Sequence, residues 1–354
     1  LPEIAEPFVE AERDDPPTDL HEGGDEVSLS KIDQSCRRAV VFTPMETDRR
    51  VVVDAGVLAD RLGYEAVIVP EGWGFDATAV LTEIALRTER IRLVSGIFSV
   101  WGRSTATLAM AAATLDDVAG GRFTLGLGTS TAQLAERFHG VAYARPAATL
   151  RRTVTDVRAL LRGDRARTAS GVKGVRLNLP PRPGLPIWVA ALGPRATEVA
   201  TECADGWFPA VVPRDRLDAV RTRALATARG DPELVCGPMT VAATPGMPAR
   251  ATAEQIIAWY LVAMGPVYGD FVAAHGYRAE VEALRSANPK PVPGQLRWPD
   301  TADALLAQLA AYGDPAEVGA QLAEWDPLAD VVVVLIAPGP RDAALAAVTA
   351  AAPP

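Results

Sequence analysis

Two short runs in the chain combine glycines, small residues and hydroxyls in a way suited to holding an anion. In Leu125-Gly126-Leu127-Gly128-Thr129-Ser130, two glycines end an apolar run and two hydroxyls follow. Glycine lets a backbone approach a ligand closely, and the free N–H groups at the start of a following helix favour negative charge. The second run is Trp188-Val189-Ala190-Ala191-Leu192-Gly193-Pro194-Arg195. Proline suits the first turn of a helix. Arginine in that turn is unfavourable against the positive helix end unless an anion is nearby. The first run alone also reads as a plain strand-to-helix turn. It lacks the third glycine of a dinucleotide fingerprint, and no acidic residue ends a strand at the expected distance. Together the runs nominate Gly128, Thr129, Ser130, Ala190, Ala191, Leu192, Gly193, Pro194 and Arg195 as holders of a phosphate.

Further candidates stand at other strand ends. The Ser95-Gly96-Ile97 turn reads as a bulge or a close backbone approach. Glu71, in Val69-Pro70-Glu71-Gly72-Trp73, is a candidate general acid or base. Trp73 beside it is able to stack on a ring. Trp101, Trp259, Tyr260, Tyr268 and Tyr277 suit an apolar pocket, although core packing accounts for such residues equally well. His275 is a candidate substrate contact, whereas His21 and His139 suggest nothing specific. No HxH or HxxxH pair and no CxxC pair occurs, so no metal site is expected.

Positioning these residues requires a regular frame. From residue 37 onward, short β-rich runs alternate with amphipathic stretches. Strands are predicted at 38–42, 65–69, 91–94, 123–127, 186–190, 206–210, 238–243 and 331–336. Helices are predicted at 50–62, 77–87, 104–118, 131–138, 146–161, 194–204, 217–228 and 314–325. Ser104 reads as an N-cap, and 171–179 as a hairpin or extended excursion. The continuously apolar 331–334 run fits a parallel strand covered on both faces. Eight such units allow a closed barrel or a doubly wound open sheet. Residues 252–309 exceed any ordinary strand–helix connection and read as a substrate lid at the C-terminal rim of a barrel.

The 354 residues carry a net charge of −9 and are 49% hydrophobic. That acidity disfavours nucleic acid and anionic membranes as partners. No apolar run approaches the roughly 18 residues of a membrane span, and no secretory signal is read at the N-terminus. Cys36, Cys203 and Cys236 are widely spaced, which argues against disulfides and for a reducing cytoplasm. Residues 1–36 are acidic, contain proline and have weak periodicity. They read as a loosely docked extension or as a strap across a partner subunit.

The run from Ala106 through Thr114-Leu115-Asp116-Asp117-Val118-Ala119-Gly120-Gly121-Arg122-Phe123 to Ser130 resembles the luciferase-like monooxygenase superfamily. So do residues 89–96 and 186–207, the latter ending in Ala204-Asp205-Gly206-Trp207. The resemblance spans about residues 38–337. It implies an α/β fold, a (β/α)8 TIM barrel, binding coenzyme F420 or, alternatively, FMN. Carried over by position, Gly96 and Ile97 match a strand-three bulge that holds a non-prolyl cis peptide in deazaflavin members, here Ser95–Gly96 or Gly96–Ile97. The Gly128–Thr129 and Ala190-to-Arg195 positions match the phosphate and ribityl contacts. Trp259-Tyr260-Leu261, Tyr268 and Gly276-Tyr277 resemble the deazaflavin-dependent branch, as do residues 303–318. Family sugar-phosphate dehydrogenases carry an Asp-His pair where this chain has Glu71-Gly72, and an acidic residue near Thr131. Sugar-phosphate oxidation is therefore not expected. The implied activity is hydride transfer between F420 and a small organic substrate, most readily a reduction. The alternatives are an FMN monooxygenase fed by a separate reductase and a non-catalytic paralogue. A homodimer is also implied.

Overall fold

The strands are runs of mostly apolar, β-branched residues whose side chains are buried on both faces, the pattern that parallel sheets demand. The computed structural model describes residues 36–354 except Ala169 and Thr227. The extension expected over 1–36 therefore lies, but for Cys36, outside the described residues. In chain order the strands are β1 (Arg38–Phe42), β2 (Ala66–Val69), β3 (Arg92–Ser95), β4 (Phe98–Ser99), β5 (Phe123–Gly128), β6 (Ile187–Ala190), β7 (Gly206–Trp207), β8 (Glu233–Cys236), β9 (Met239–Ala242), β10 (Ala310–Gly313) and β11 (Val331–Ile336).

The ring runs β1-β2-β3-β5-β6-β7-β8-β11 and closes where β11 pairs with β1, Val40 opposite Val334. Every pairing among these strands is parallel. This is a closed eight-stranded barrel with helices around it. Alternation along each strand separates two apolar layers. Ala39, Val41, Ala66, Ile68, Val94, Val333 and the large Trp188 fill the interior. Val40, Phe42, Val67, Leu93, Leu125 and Val189 pack outward against the helices.

Helix bounds follow the sequence closely. Pro146–Leu161 forms as expected, and Ser104 caps Thr105–Val118 by accepting from the Thr107 N–H at 3.1 Å. Three expectations need correction. The seventh barrel strand is not a single run at 238–243. It is β8 and then β9, broken at Gly237-Pro238, and β8 is the part that closes the ring between β7 and β11. Pro238 has no N–H to give a ladder, and a Cβ at Gly237 would strike the Val333 backbone. The sixth strand stops at Trp207, two residues before Pro209. Residues 171–179 form no strand among the described residues, only a loop in which the Ala166 N–H reaches the Val175 carbonyl at 2.9 Å.

Between β9 and β10 the chain inserts helices Ala249–Val262, Pro266–Val272, Arg278–Ala287 and Asp303–Leu309. They build a second apolar core from Ile256, Ile257, Leu261, Val272, Val281 and Leu305, continuous with Met239 and Val241 of β9. Among the described residues no single helix is long and apolar enough to cross a membrane.

Candidate active site

The C-terminal end of β5 opens the site. A Cβ at Gly126 would collide with the Ser95 carbonyl, and one at Gly128 would stand 2.9 Å from Ile97 Cγ1. Both positions therefore bring strands close rather than merely turning the chain. Ser95 is fully buried, and its hydroxyl bridges to β5, donating to the Gly126 carbonyl at 3.0 Å and accepting its N–H at 2.9 Å. The Gly96–Ile97 peptide is cis. Beyond β5, Ser130 adopts a left-handed conformation with φ 51°. Trp101 Nε1 donates to the Thr129 carbonyl at 2.8 Å, and the Tyr143 hydroxyl donates to Thr129 Oγ1 at 3.2 Å. These two rings, 5.3 Å apart, hold the 129–130 turn in place.

A cavity of 1080 Å3 lies over these strand ends. Ile97, Gly128, Thr129, Ser130 and all six residues from Ala190 to Arg195 line it. Gly96 instead lines an adjoining inner chamber of 160 Å3, and Ser95 stands behind the wall. Ten of the twelve expected cofactor positions thus share one cavity, although they come from three separate strand ends. Two helices, Pro146–Leu161 and Pro194–Cys203, begin at its edge. Neither N-cap, Arg145 nor Gly193, has a side chain that takes up the first-turn N–H groups. Three arginines line the same cavity, Arg137, Arg145 and Arg195. None of the three forms an ion pair among the described residues. Open N–H groups and unspent guanidinium groups together suit an anion. The cradle at Gly128, these groups and the inner chamber fit a flat ring with a phosphate-bearing tail.

Sequence reasoning missed Arg137, Arg145 and Tyr143. The Pro146 helix start was the available signal for Arg145, but nothing local indicates that this helix end faces the 190–195 turn.

Glu71 lines the inner chamber, yet its carboxylate is spent. Arg103 Nε and Nη2 reach its two oxygens at 2.8 and 2.5 Å, and the Ala77 N–H adds a third bond at 3.2 Å. Arg103 also holds Asp76 at 2.8 Å and lies over the Phe98 ring. The Glu71 bond, more than any other contact, pushes the Arg103 guanidinium pKa up. The missing histidine has a steric reason: a Cβ at Gly72 would already stand 2.9 Å from Pro44 Cβ.

The expected substrate contacts divide. Trp73 and Tyr268 line the inner chamber, and Tyr268 lines the larger cavity as well. Trp101 buttresses the 129–130 turn and lines neither. His275 sits at the kink between the helices Pro266–Val272 and Arg278–Ala287, with non-helical φ −103° and ψ 29°, its ring 4.1 Å from Phe271 and its Nδ1 on the Phe271 carbonyl at 2.7 Å. Tyr260 also lines the inner chamber, its ring 5.4 Å from Tyr268 and set edge-on. Burial raises the pKa of both phenols, with each one's neighbouring tyrosine adding to the effect. Among the described residues neither hydroxyl has a hydrogen-bond partner.

A family model described as luciferase-like monooxygenase matches residues 37–329. A Mycobacterium tuberculosis protein provisionally named a coenzyme F420-dependent oxidoreductase is 27% identical over 310 residues, which cover 79% of this chain and 88% of that one. The 5,10-methylenetetrahydromethanopterin reductase of Methanolobus tindarius is 27% identical over 293 residues, 80% of this chain and 87% of its own. The solved structure of the coenzyme F420-dependent tetrahydromethanopterin reductase from Methanopyrus kandleri superposes with a TM-score of 0.71 at 18% identity. It covers 90% of this chain and 98% of that one, a likeness of fold. With its closed parallel barrel and a family match over most of its length, the chain belongs to the luciferase-like monooxygenase family, an oxidoreductase superfamily whose members bind F420 or FMN.

Proposed function

We propose that the protein is an F420-dependent reductase of a small organic substrate. The carrying observation is the cluster of Arg137, Arg145 and Arg195 around one cavity with two uncapped helix ends. FMN ends in a single phosphate. F420 carries a phosphodiester followed by carboxylates along one tail, and three separated cations suit that longer polyanion.

In this reading Gly128, Thr129, Ser130 and the 190–195 turn hold the phosphate and the linker, and Ile97 walls the ring. When bound, the cofactor supplies a hydride equivalent. The chain orients the substrate in the inner chamber and manages one proton. Glu71, locked by Arg103, positions Arg103 and the 71–77 loop rather than moving that proton. The proton is held at Tyr268 Oη, with Tyr260 beside it. A phenol kept neutral by burial can donate to an oxygen or nitrogen that becomes strongly basic as it gains charge. The insertion over 249–309 supplies both tyrosines and serves as the lid.

Side-by-side titration with F420 and FMN tests the assignment. F420 is expected to bind and FMN not to. Retention of FMN with no F420 affinity supports the monooxygenase alternative. Binding of neither would place the chain among non-catalytic relatives.

A further inference from the structure

A second large cavity lies next to the inner chamber. Its volume is 760 Å3, within the range of about 300–1,000 Å3 usual for small-molecule sites. Pro44 and Trp73 line both spaces, so the two are separated by little more than those side chains. Trp73 is 41% exposed and stands between Gly72 and Gly74, and a Cβ at Gly74 would meet nothing within 4 Å. The indole therefore stands in open space on one side, on a turn with two unbranched neighbours.

The charge of the lining contrasts with the cofactor cavity. There the arginines gather. Here, among the described residues, the only ionisable lining residue is an acid, Glu46. Glu46 is 9% exposed. Its Oε1 accepts the Thr47 and Asp48 N–H groups, both at 2.8 Å, and Oε2 accepts from Gly339 at 3.4 Å. No cation pairs with it among the described residues. Most of the polar lining is otherwise occupied. Gln255 is spent on the Leu296 backbone in both directions, at 2.6 and 3.0 Å, and the Thr252 hydroxyl donates to the Pro248 carbonyl at 2.9 Å. What remains is largely the apolar surface of Met45, Trp73, Phe75, Ile256 and Trp259, with the buried Trp259 Nε1 lacking a hydrogen-bond partner among the described residues.

We infer that this second cavity is the substrate subsite, and that it takes an uncharged or cationic molecule with an apolar ring while refusing anions. The inference rests on the proposed function for the direction in which the substrate faces, and the cavity itself supplies the class. A phosphate or carboxylate placed here would leave water for largely apolar walls and a carboxylate without a cation, with only uncharged donors, among them the indole N–H groups of Trp73 and Trp259, to offer in exchange. A ring gains area against two indoles and a phenyl. One molecule thereby keeps two ligands apart: the polyanionic cofactor is attracted to one chamber and repelled by the other.

Three probes sharing one ring test this without any turnover: 2-naphthol, naphthalene-2-carboxylate and 2-naphthylmethylammonium, each titrated calorimetrically into the full chain. Naphthol and the ammonium are expected to bind, and the carboxylate to bind at least about tenfold more weakly. Thr252→Trp, which fills the cavity from the half-exposed side of the lid helix, should weaken naphthol at least about tenfold and leave F420 affinity unchanged. Glu46→Gln should narrow the gap between carboxylate and naphthol. Equal binding of carboxylate and naphthol overturns the inference, as does naphthol binding that Thr252→Trp leaves intact. Should naphthol bind as expected while neither F420 nor FMN does, the cavity stands and the proposed function falls. F420 binding with no charge preference among the probes means the reverse.

Discussion

At the scale of single residues, the site separates proton-bearing groups into spent and available ones. Glu71 has both oxygens on Arg103, and His275 has Nδ1 on a backbone carbonyl. Tyr268 faces both chambers with no partner among the described residues. Tyr268→Phe removes one oxygen and should leave F420 affinity within about twofold, while turnover of an enone such as 2-cyclohexenone falls about 10²-fold or more. A parallel loss of affinity and turnover would mean that the phenol only shapes the chamber. Arg103→Ala makes a different prediction. The pair is mostly buried, with side chains 14% and 16% exposed. Removing the cation strands Glu71 and should cost about 2–4 kcal/mol in denaturant unfolding of the cofactor-free protein. A near-neutral result would return Glu71 to the list of proton donors.

At the scale of elements, two junctions anchor β3, one at each end. The Gly126 approach to Ser95 holds β3 against β5 under the large cavity. Gly126→Ala forces a methyl into the Ser95 carbonyl. It should destabilise by about 1–3 kcal/mol through overpacking, read as a lower thermal midpoint, and weaken cofactor binding as well. The second junction is Asp60 on the helix Arg49–Arg61. Burial works against its charge, but the N–H groups of Ile91, Arg90 and Glu89, with Arg90's charge, bring its pKa below the ordinary value. A depressed carboxyl pKa means stability present above the unfolded-state value and lost as pH falls through the folded one. Wild type should therefore lose stability on acidification below about pH 4, and Asp60→Asn should show a flatter acid limb and a lower plateau at neutral pH. Identical limbs would remove Asp60 from the acid response. Element prediction also marks where local pattern fails. The 233–236 run begins with Glu233 and is followed at once by Gly237-Pro238, so the apolar run 238–243 beyond the break reads as the strand instead. The role of 233–236 as the ring-closing strand β8 comes from pairing with both β7 and β11.

At the scale of the whole molecule, a chain of net charge −9 still gathers at one cavity three arginines that have no ion pair among the described residues. The global field and the local one oppose each other, so cofactor affinity should be sensitive to both salt and single charges. Arg195→Ala should weaken F420 binding by about tenfold and lessen its salt dependence, with the thermal midpoint of the free protein unchanged. Saturating F420 at about a hundred times its Kd should stabilise the wild type by about 2.7 kcal/mol. If F420 affinity is indifferent to salt and to Arg195, the arginine cluster is not its site.

The sequence alone determined what depends on neighbours along the chain. Buried strands, capped helices, the glycines at 126 and 128 and the Gly193-Pro194 helix start are all set by local backbone freedom and periodicity. The 106–130 run, with residues 89–96 and 186–207, carried the family and with it the barrel, and residue types at two turns nominated nine of the ten expected residues that share the large cavity. Tertiary structure alone decided which of these groups are free to act. Arg103 is 32 residues from the carboxylate it occupies, and the two helix ends and three arginines meet because β5 pairs with β6, Gly128 opposite Ala190. Parallel pairing places strand ends distant in sequence side by side. The two glycine-containing turns read first from the sequence thus line one cavity, and the carboxylate first nominated for the chemistry is bound to an arginine that no local pattern connects to it.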